Sequence, residues 1–389
     1  MDIKNKIKSY QDELIALRRQ FHQSPELGLQ EYQTASFIFE YLESLGLEVR
    51  KCLETGVVAV LKGKYPGKTL MLRCDIDALE VVEETNLPFK SQNNGVMHAC
   101  GHDGHAAIML IVAKILTEYR DKFSGQIKFV FQPNEEDAAA QLMIDEGVLE
   151  DPRPDAVFGL HLWSYHKTGE IGIVSGPIMA SSYYFRIKLT GLQGHGGAPH
   201  KAINPIDVSS HIINAINSLQ SFAYDPQKPT VISFGKIMAG TKPTIIPATL
   251  EMEGSIRCLH NEDEQVRNDF VELVKAIAHS YKVKCEVELK CGNSLLNNDK
   301  EMSSLVKEIA SDVVGLKNVI TENVSVMLGD DFAEFLRDIR GVYYFVGIAN
   351  EAKNTTYEHH HPKFDLDEDA LSIAVEMQLK LTLKYLEDK

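Results

Sequence analysis

Three histidines and a cysteine stand within eight positions of the stretch VMHACGHDGHAA, residues 96–107: His98, Cys100, His102 and His105. Thiolate sulfur and imidazole nitrogen are donors for zinc-like divalent cations, which take about four or five ligands from Cys, His and carboxylate. Cys100 and His102 could instead form a thiol–imidazole catalytic pair. Two residues apart on a Gly-containing turn, they suit shared ligation better. Three further clusters hold complementary chemistry: Asp75 and Asp77 in LMLRCDID, Glu135 and Glu136 in KFVFQPNEED, and His161 in VFGLHLW. EHHHPKF (358–364) adds three consecutive histidines. Alone, each cluster has a plain reading as a turn, a helix cap or a solvated loop. Together they offer a full donor set, and adjacent glutamates can divide the work, one binding metal and the other acting as general base. A bound metal lowers the pKa of its water from about 15.7 toward 7, which makes hydrolysis the natural chemistry. A nearby carboxylate can then carry the proton to a leaving amine.

Such donors meet only if a scaffold brings them together. Apolar spacing predicts helices over 3–23 and 31–46, parted by the turn SPELG. GVVAVLKG and KTLMLRCD read as strands, GHAAIMLIVAKILTE (104–118) as a buried helix and QIKFVFQ (126–132) as a strand. A helix over 137–147 and a strand over 156–162 follow. This alternation implies an α/β domain with a mainly parallel sheet covered by helices. In such sheets ligands collect at the carboxyl ends of the strands, where the Asp, Glu and His clusters fall. After GPIM (176–179) the order becomes β-α-β-β-α-β, with helices from Pro205 to about Ser221 and over 262–280. We therefore expect a catalytic domain built from residues 1–178 and 292–389, with an inserted α+β domain over 179–291. From about Glu301 the chain returns to helix, the strand VYYFVGI and a final helix over 367–387.

The 389 residues carry 40 basic and 55 acidic side chains, a net charge of −15 that argues against a nucleic-acid partner. The first residues lack the apolar core of a signal peptide, and no stretch reaches membrane-spanning length. Six cysteines are too sparse for a disulfide framework, so we expect reduced thiols and a cytoplasmic enzyme. Cys52, Cys258, Cys285 and Cys291 read as small buried hydrophobes.

With these pieces in order, the chain resembles the dinuclear metallopeptidases that include aminoacylase, carboxypeptidase G and succinyl-diaminopimelate desuccinylase. More narrowly it is similar to their amidohydrolase branch of hippurate hydrolases, auxin-conjugate hydrolases and N-acetyl-diaminopimelate deacetylases. The likeness runs from LRRQFHQSPELGLQEYQTA through RCDIDAL, MHACGHDGHAA, FQPNEE, GLHLW and GLQGHGGAPH to HHHPKFDLDED. It implies a phosphorylase/hydrolase-like catalytic domain, an inserted lid that mediates homodimerisation, and two divalent ions (zinc, manganese, nickel or cobalt). Cys100, His102, Glu136, His161 and His360 are the implied metal ligands, His360 being the histidine two before the proline. Glu135 is the implied general base, and Asp77 the carboxylate that orients and tunes a metal-bound histidine or the metal centre. His195 of GLQGH would stabilise the oxyanion, in related enzymes from across the dimer. His98 and His105 fall outside the ligand set, as supporting or helix-start residues.

Two departures bear on substrate choice. The lid's usual Asn-x-Ile-Pro reads Thr244-Ile-Ile-Pro247, so a polar substrate contact must come from Thr244 or be absent. The usual Ser-Glu-Asp-Phe reads Gly329-Asp330-Asp331-Phe332. Arg257 of GSIRCL is a candidate for holding a substrate carboxylate, or equally a structural ion pair. The reading is an amidohydrolase acting on N-acylated amino acids; the alternatives are a dipeptidase or carboxypeptidase with the same machinery, or a binding protein that kept the fold. A retained Glu135 speaks against the last.

Overall fold

The computed structural model describes residues 3–387, in two units. The first takes the chain up to Ile178, then Asn297–Ser325 and the residues from Asp330 onward; the second takes Met179–Leu296 and Val326–Gly329.

The first unit is built on an eight-stranded mixed sheet. Its early strands are β1 (Glu48–Cys52), β2 (Gly56–Lys62), β3 (Tyr65–Asp75), β4 (Ser124–Gln132), β5 (Ala156–Lys167) and β6 (Ile171–Gly172). The order across the sheet is β1-β2-β4-β3-β5, then Arg340–Ala349, β6 and Val319–Ile320. The centre is parallel: β4 with β3, β3 with β5, and β5 with Arg340–Ala349. β1, β2 and β4 pair antiparallel at one side. Parallel strands need a crossover, and the helix His102–Glu118 makes it between β3 and β4. That helix is buried on nearly every side, as its apolar run IMLIVA requires, and the final helix Asp369–Glu387 lies against it.

Several elements differ from expectation. The first predicted helix is broken at Tyr10 into Ile3–Ser9 and Gln11–Gln23. The crossover helix begins at His102, two residues early, so His102 and Asp103 occupy its first turn. The helix expected over 137–147 shrinks to Ala140–Asp145, because Asn134 and Ala138 take left-handed φ of 51° and 63° and hold the preceding segment as a loop. β5 runs five residues past Leu162, to Lys167.

The second unit pairs four antiparallel strands in the order Thr230–Ala239, Thr249–Cys258, Ser181–Thr190, Lys284–Asn293. Phe185, Ile187 and Leu189 alternate inward along one strand and meet Val208, Ile212 and Phe270 from the helices Pro205–Phe222 and Asp263–Ser280. Asn204 caps the first of these helices, its side-chain oxygen accepting from the Ile206 N–H, with Pro205 next in line. Cys52 and Cys258 are buried as expected; Cys285 is only partly so and Cys291 is exposed, each lying on the strand at the sheet's edge. No disulfide joins any of the six cysteines. Among the described residues no helix is long and apolar enough to cross a membrane.

Candidate metal centre

The parallel strands of the first unit deliver the polar clusters to one edge. Asp75 is the last residue of β3 and Asp77 follows two on. Gly101, at φ +97°, lets the chain turn sharply between Cys100 and the helix-opening His102. Past the end of β4, the loop 133–139 carries Glu135 and Glu136, and His161 projects from within β5.

These residues converge. Cys100 Sγ lies 3.5 Å from His161 Nε2, and one ligand atom from each of Cys100, His102 and His161 falls within a 4.8 Å cluster. A second cluster of the same span joins Cys100 with Glu136 and His360, and a third joins His102 with Glu135 and Glu136. Cys100 is common to the first two, so five side chains make two overlapping triads.

Hydrogen bonds decide which nitrogen each histidine presents. Both partners of His102 Nδ1 are acceptors, the Asp77 carbonyl at 2.9 Å and its carboxylate at 3.2 Å, so Nδ1 donates. Among the described residues the buried Nε2 has no hydrogen-bond partner. His161 Nδ1 likewise donates to the Leu162 carbonyl at 2.8 Å, which turns Nε2 toward Cys100.

Among the three consecutive histidines, the backbone separates the roles. The His360 N–H donates to the Ala99 carbonyl at 2.7 Å, and its Nε2 stands 3.2 Å from Glu136 Oε1. His359 instead accepts the Ser164 N–H and lies over Trp163, while His361 stacks on Tyr357.

Burial of so many acidic groups sets the electrostatics. Desolvation pushes the Cys100 thiol well above its ordinary range, helped by Glu136 and Glu135. Glu135 rises well above the usual carboxylate range for the same reason, with the charges of Asp330 and Glu136 adding to it. Burial lowers His102, but Asp75 and Asp77 outweigh it and raise the ring to about 10. His161 is driven well down by burial and by His105. A desolvated thiol, crowded carboxyls and an unpartnered buried nitrogen, all aimed at one place, fit divalent cations. The mixture of sulfur, imidazole and carboxylate suits zinc-like ions.

His195, Thr244 and Arg257 lie in the second unit. The two-residue strands Gly194–His195 and Ile245–Ile246 pair, which puts His195 opposite Ile245 and beside Thr244. His195 is exposed, and its Nδ1 accepts the Gly197 N–H at 2.9 Å. Among the described residues Arg257 makes no ion pair; its Nη1 donates to the Met327 carbonyl at 3.1 Å. Asp330 and Asp331, expected near where a substrate binds, are buried, and each places an oxygen within 4.8 Å of one on Glu135. Asp331 Oδ1 accepts from Arg73 Nη2 at 2.9 Å, and Asp330 Oδ2 accepts from the Tyr343 hydroxyl at 2.5 Å.

Sequence reasoning passed over the frame behind the cluster. Arg73, in the middle of an apolar strand, joins Asp75 at 2.7 Å to Asp331. Arg18 is fully buried and bonds Asp103 at 2.9 Å and Asp365 at 2.8 Å; His22 Nδ1 shares the same Asp103 oxygen at 2.7 Å. The available signal was the charge itself: an arginine inside LMLRCD must find partners if the strand is buried.

The model of the peptidase family M20/M25/M40 matches residues 71–384. The chain is 40% identical over 393 residues to thermostable carboxypeptidase 2 of Saccharolobus solfataricus, covering 98% of each chain. It is 36% identical to N-acetylcysteine deacetylase of Bacillus subtilis, again with 98% of each covered. The crystal structure of the Bacillus subtilis YXEP protein, a dinuclear metal binding peptidase from the M20 family, superposes with a TM-score of 0.85 at 34% identity, over 98% of this chain and 99% of that one. A metal-dependent hydrolase is the class that fold and donor cluster define. The chain belongs to the M20/M25/M40 peptidase family.

Proposed function

We propose that this enzyme hydrolyses the amide bond of N-acylated amino acids, with Cys100, His102, Glu136, His161 and His360 holding two divalent ions. The convergence of those five side chains at one sheet edge, with Glu135 Oε2 4.0 Å from His102 Nε2, carries the reading. The bound ions supply Lewis acidity and make a water nucleophile available near neutral pH. Glu135, in its carboxylate form, takes the proton from that water and returns it to the departing amine nitrogen. Asp77 holds His102 by its Nδ1–H and keeps the other nitrogen free.

His195 donates to the oxygen that gains charge as the carbonyl becomes tetrahedral, an interaction worth about 3 kcal/mol. It comes from the partner in a homodimer assembled through the second unit, which analytical ultracentrifugation checks. Arg257 offers its remaining guanidinium N–H groups to the substrate carboxylate, and Thr244 supplies a neighbouring polar contact. The six unbridged cysteines support a reducing, cytoplasmic setting.

A panel of N-acetyl amino acids, hippurate and dipeptides, assayed across zinc, manganese, nickel and cobalt, tests the substrate class. Cleavage of peptides alone rejects the deacylase reading. The second reading, a carboxypeptidase, is favoured by the 40% identity to a protein of that name and would show as release of C-terminal residues from peptides.

A further inference from the structure

We infer that Asp75 and His105 form a positioning pair that aims His161 at the metal centre, acting through the backbone of Leu162. The inference rests on His161 being a metal-holding residue.

Both side chains are buried, at no more than 1% exposure. His105 Nδ1 lies 2.5 Å from Asp75 Oδ1, and the Leu162 N–H points at His105 Nε2 with 2.9 Å between the nitrogens. A backbone N–H can only donate, so Nε2 is the accepting nitrogen. The ring proton is therefore on Nδ1, where it donates to the Asp75 carboxylate. With both nitrogens engaged, His105 has no lone pair left for a metal.

The residue it grips is the one that orients His161. The Leu162 carbonyl accepts His161 Nδ1–H at 2.8 Å, and the two imidazole rings meet edge to face with centroids 4.7 Å apart. Losing the His105 acceptor frees the Leu162 N–H inside the protein, where an unpartnered donor is costly. The segment would shift to find a partner, and the carbonyl that fixes the His161 tautomer would move with it.

The run continues on the other side. Arg73 Nη1 holds Asp75 Oδ2 at 2.7 Å, and its Nη2 holds Asp331. Asp331 accepts from Gln132 Nε2 at 2.7 Å and from the Ala140 N–H at 2.8 Å, at the two ends of the segment bearing Glu135 and Glu136. One buried polar chain thus spans from His161 to the base loop.

Two substitutions separate positioning from bulk. His105→Gln can place its carbonyl oxygen where Nε2 stood and still accept from Leu162. His105→Asn places its amide near Nδ1, keeps the donation to Asp75 and abandons Leu162. Zinc affinity is measured on the full chain by competition with a chromophoric chelator, with circular dichroism as the folding control. We expect a loss of about 10- to 100-fold for His105→Asn and less than about 3-fold for His105→Gln. Equal losses in both, or none in His105→Asn, overturn the pair. Nitrogen-15 spectra of the metal-free wild type give a second readout that needs no variant to fold: His161 protonated at Nδ1 is expected, and protonation at Nε2 overturns the inference. His161→Ala isolates the underlying reading. Wild-type zinc binding in that variant rejects His161 as a ligand, whereas a loss there with His105→Asn unchanged rejects only the positioning pair.

Discussion

The two corners of the donor cluster are built differently. At the Cys100–His102–His161 corner, His102 and His161 are 1% and 5% exposed, and each ring is fixed by a donated hydrogen bond. At the Glu136–His360 corner, the side chains are 20% and 51% exposed, and His360 sits at φ +65°, a backbone region uncommon for residues other than glycine. One corner grows from strand ends and a helix start; the other grows from loops. A site held by locked rotamers loses less entropy on binding than one that must be ordered. The buried corner should therefore bind its ion more tightly, although both share Cys100.

The largest expected effect lies between the corners. Glu135→Gln keeps size and shape but cannot accept the proton, so turnover should fall by about 10²- to 10⁴-fold. Metal content, measured by elemental analysis, should not change at either corner. Near wild-type rates in this variant would remove Glu135 from the mechanism. Cys100→Ser comes next, because it strikes the residue common to both corners and exchanges a thiolate for a poor ligand. Both binding steps should weaken, by roughly 10-fold or more. Weakening of one step alone would show that Cys100 serves only that corner.

A sharper division comes from His102→Ala set against His360→Ala. The exposed variant should keep its tight-binding ion and lose only the weaker one. The buried variant should lose the tight class. Isothermal titration of the metal-free chains with zinc reads both, and a tight class that disappears with His360 would invert the comparison.

The difference between corners also marks what could be read from the chain. Residues that follow strands were legible: RCDID, CGHDGH, PNEE and GLHLW each end or interrupt a periodic apolar run, and sheet architecture places such ends together. Choosing among His359, His360 and His361 was not a matter of periodicity. It came from the likeness to a known pattern, while its physical basis, a left-handed residue and a backbone bond to Ala99, is visible only in the structure. β1 escaped notice because its residues alternate only weakly and four of its five positions are not buried. The partners of Arg73 stayed hidden for another reason: Asp331 is 258 residues away, and no local rule reports so distant a pairing. Asp330 and Asp331 likewise bond partners that no short-range pattern reports: Arg73, Gln132 and Tyr343.

The smallest expected effect concerns how the loop-built corner is anchored. Glu31 is buried; its Oε1 accepts the Asn134 N–H at 2.9 Å, just before the two glutamates, and its Oε2 accepts the Thr55 hydroxyl at 2.7 Å. Burial raises its pKa to about 6, against the Thr55 and backbone hydrogen bonds that lower it. A carboxyl whose pKa is raised in the folded state contributes stability that is fully present below its unfolded pKa of 4.5 and is lost as pH rises through about 6. Glu31→Gln removes the titration and leaves a pH-independent offset from the lost acceptor. The stability of wild type relative to Glu31→Gln should therefore fall by about 2 kcal/mol across that window and be flat above it. Urea unfolding of the metal-free proteins at several pH values measures this. A difference that does not change with pH would mean that the loop is not anchored by a desolvated carboxyl, and that the exposed corner is as firmly held as the buried one by other means.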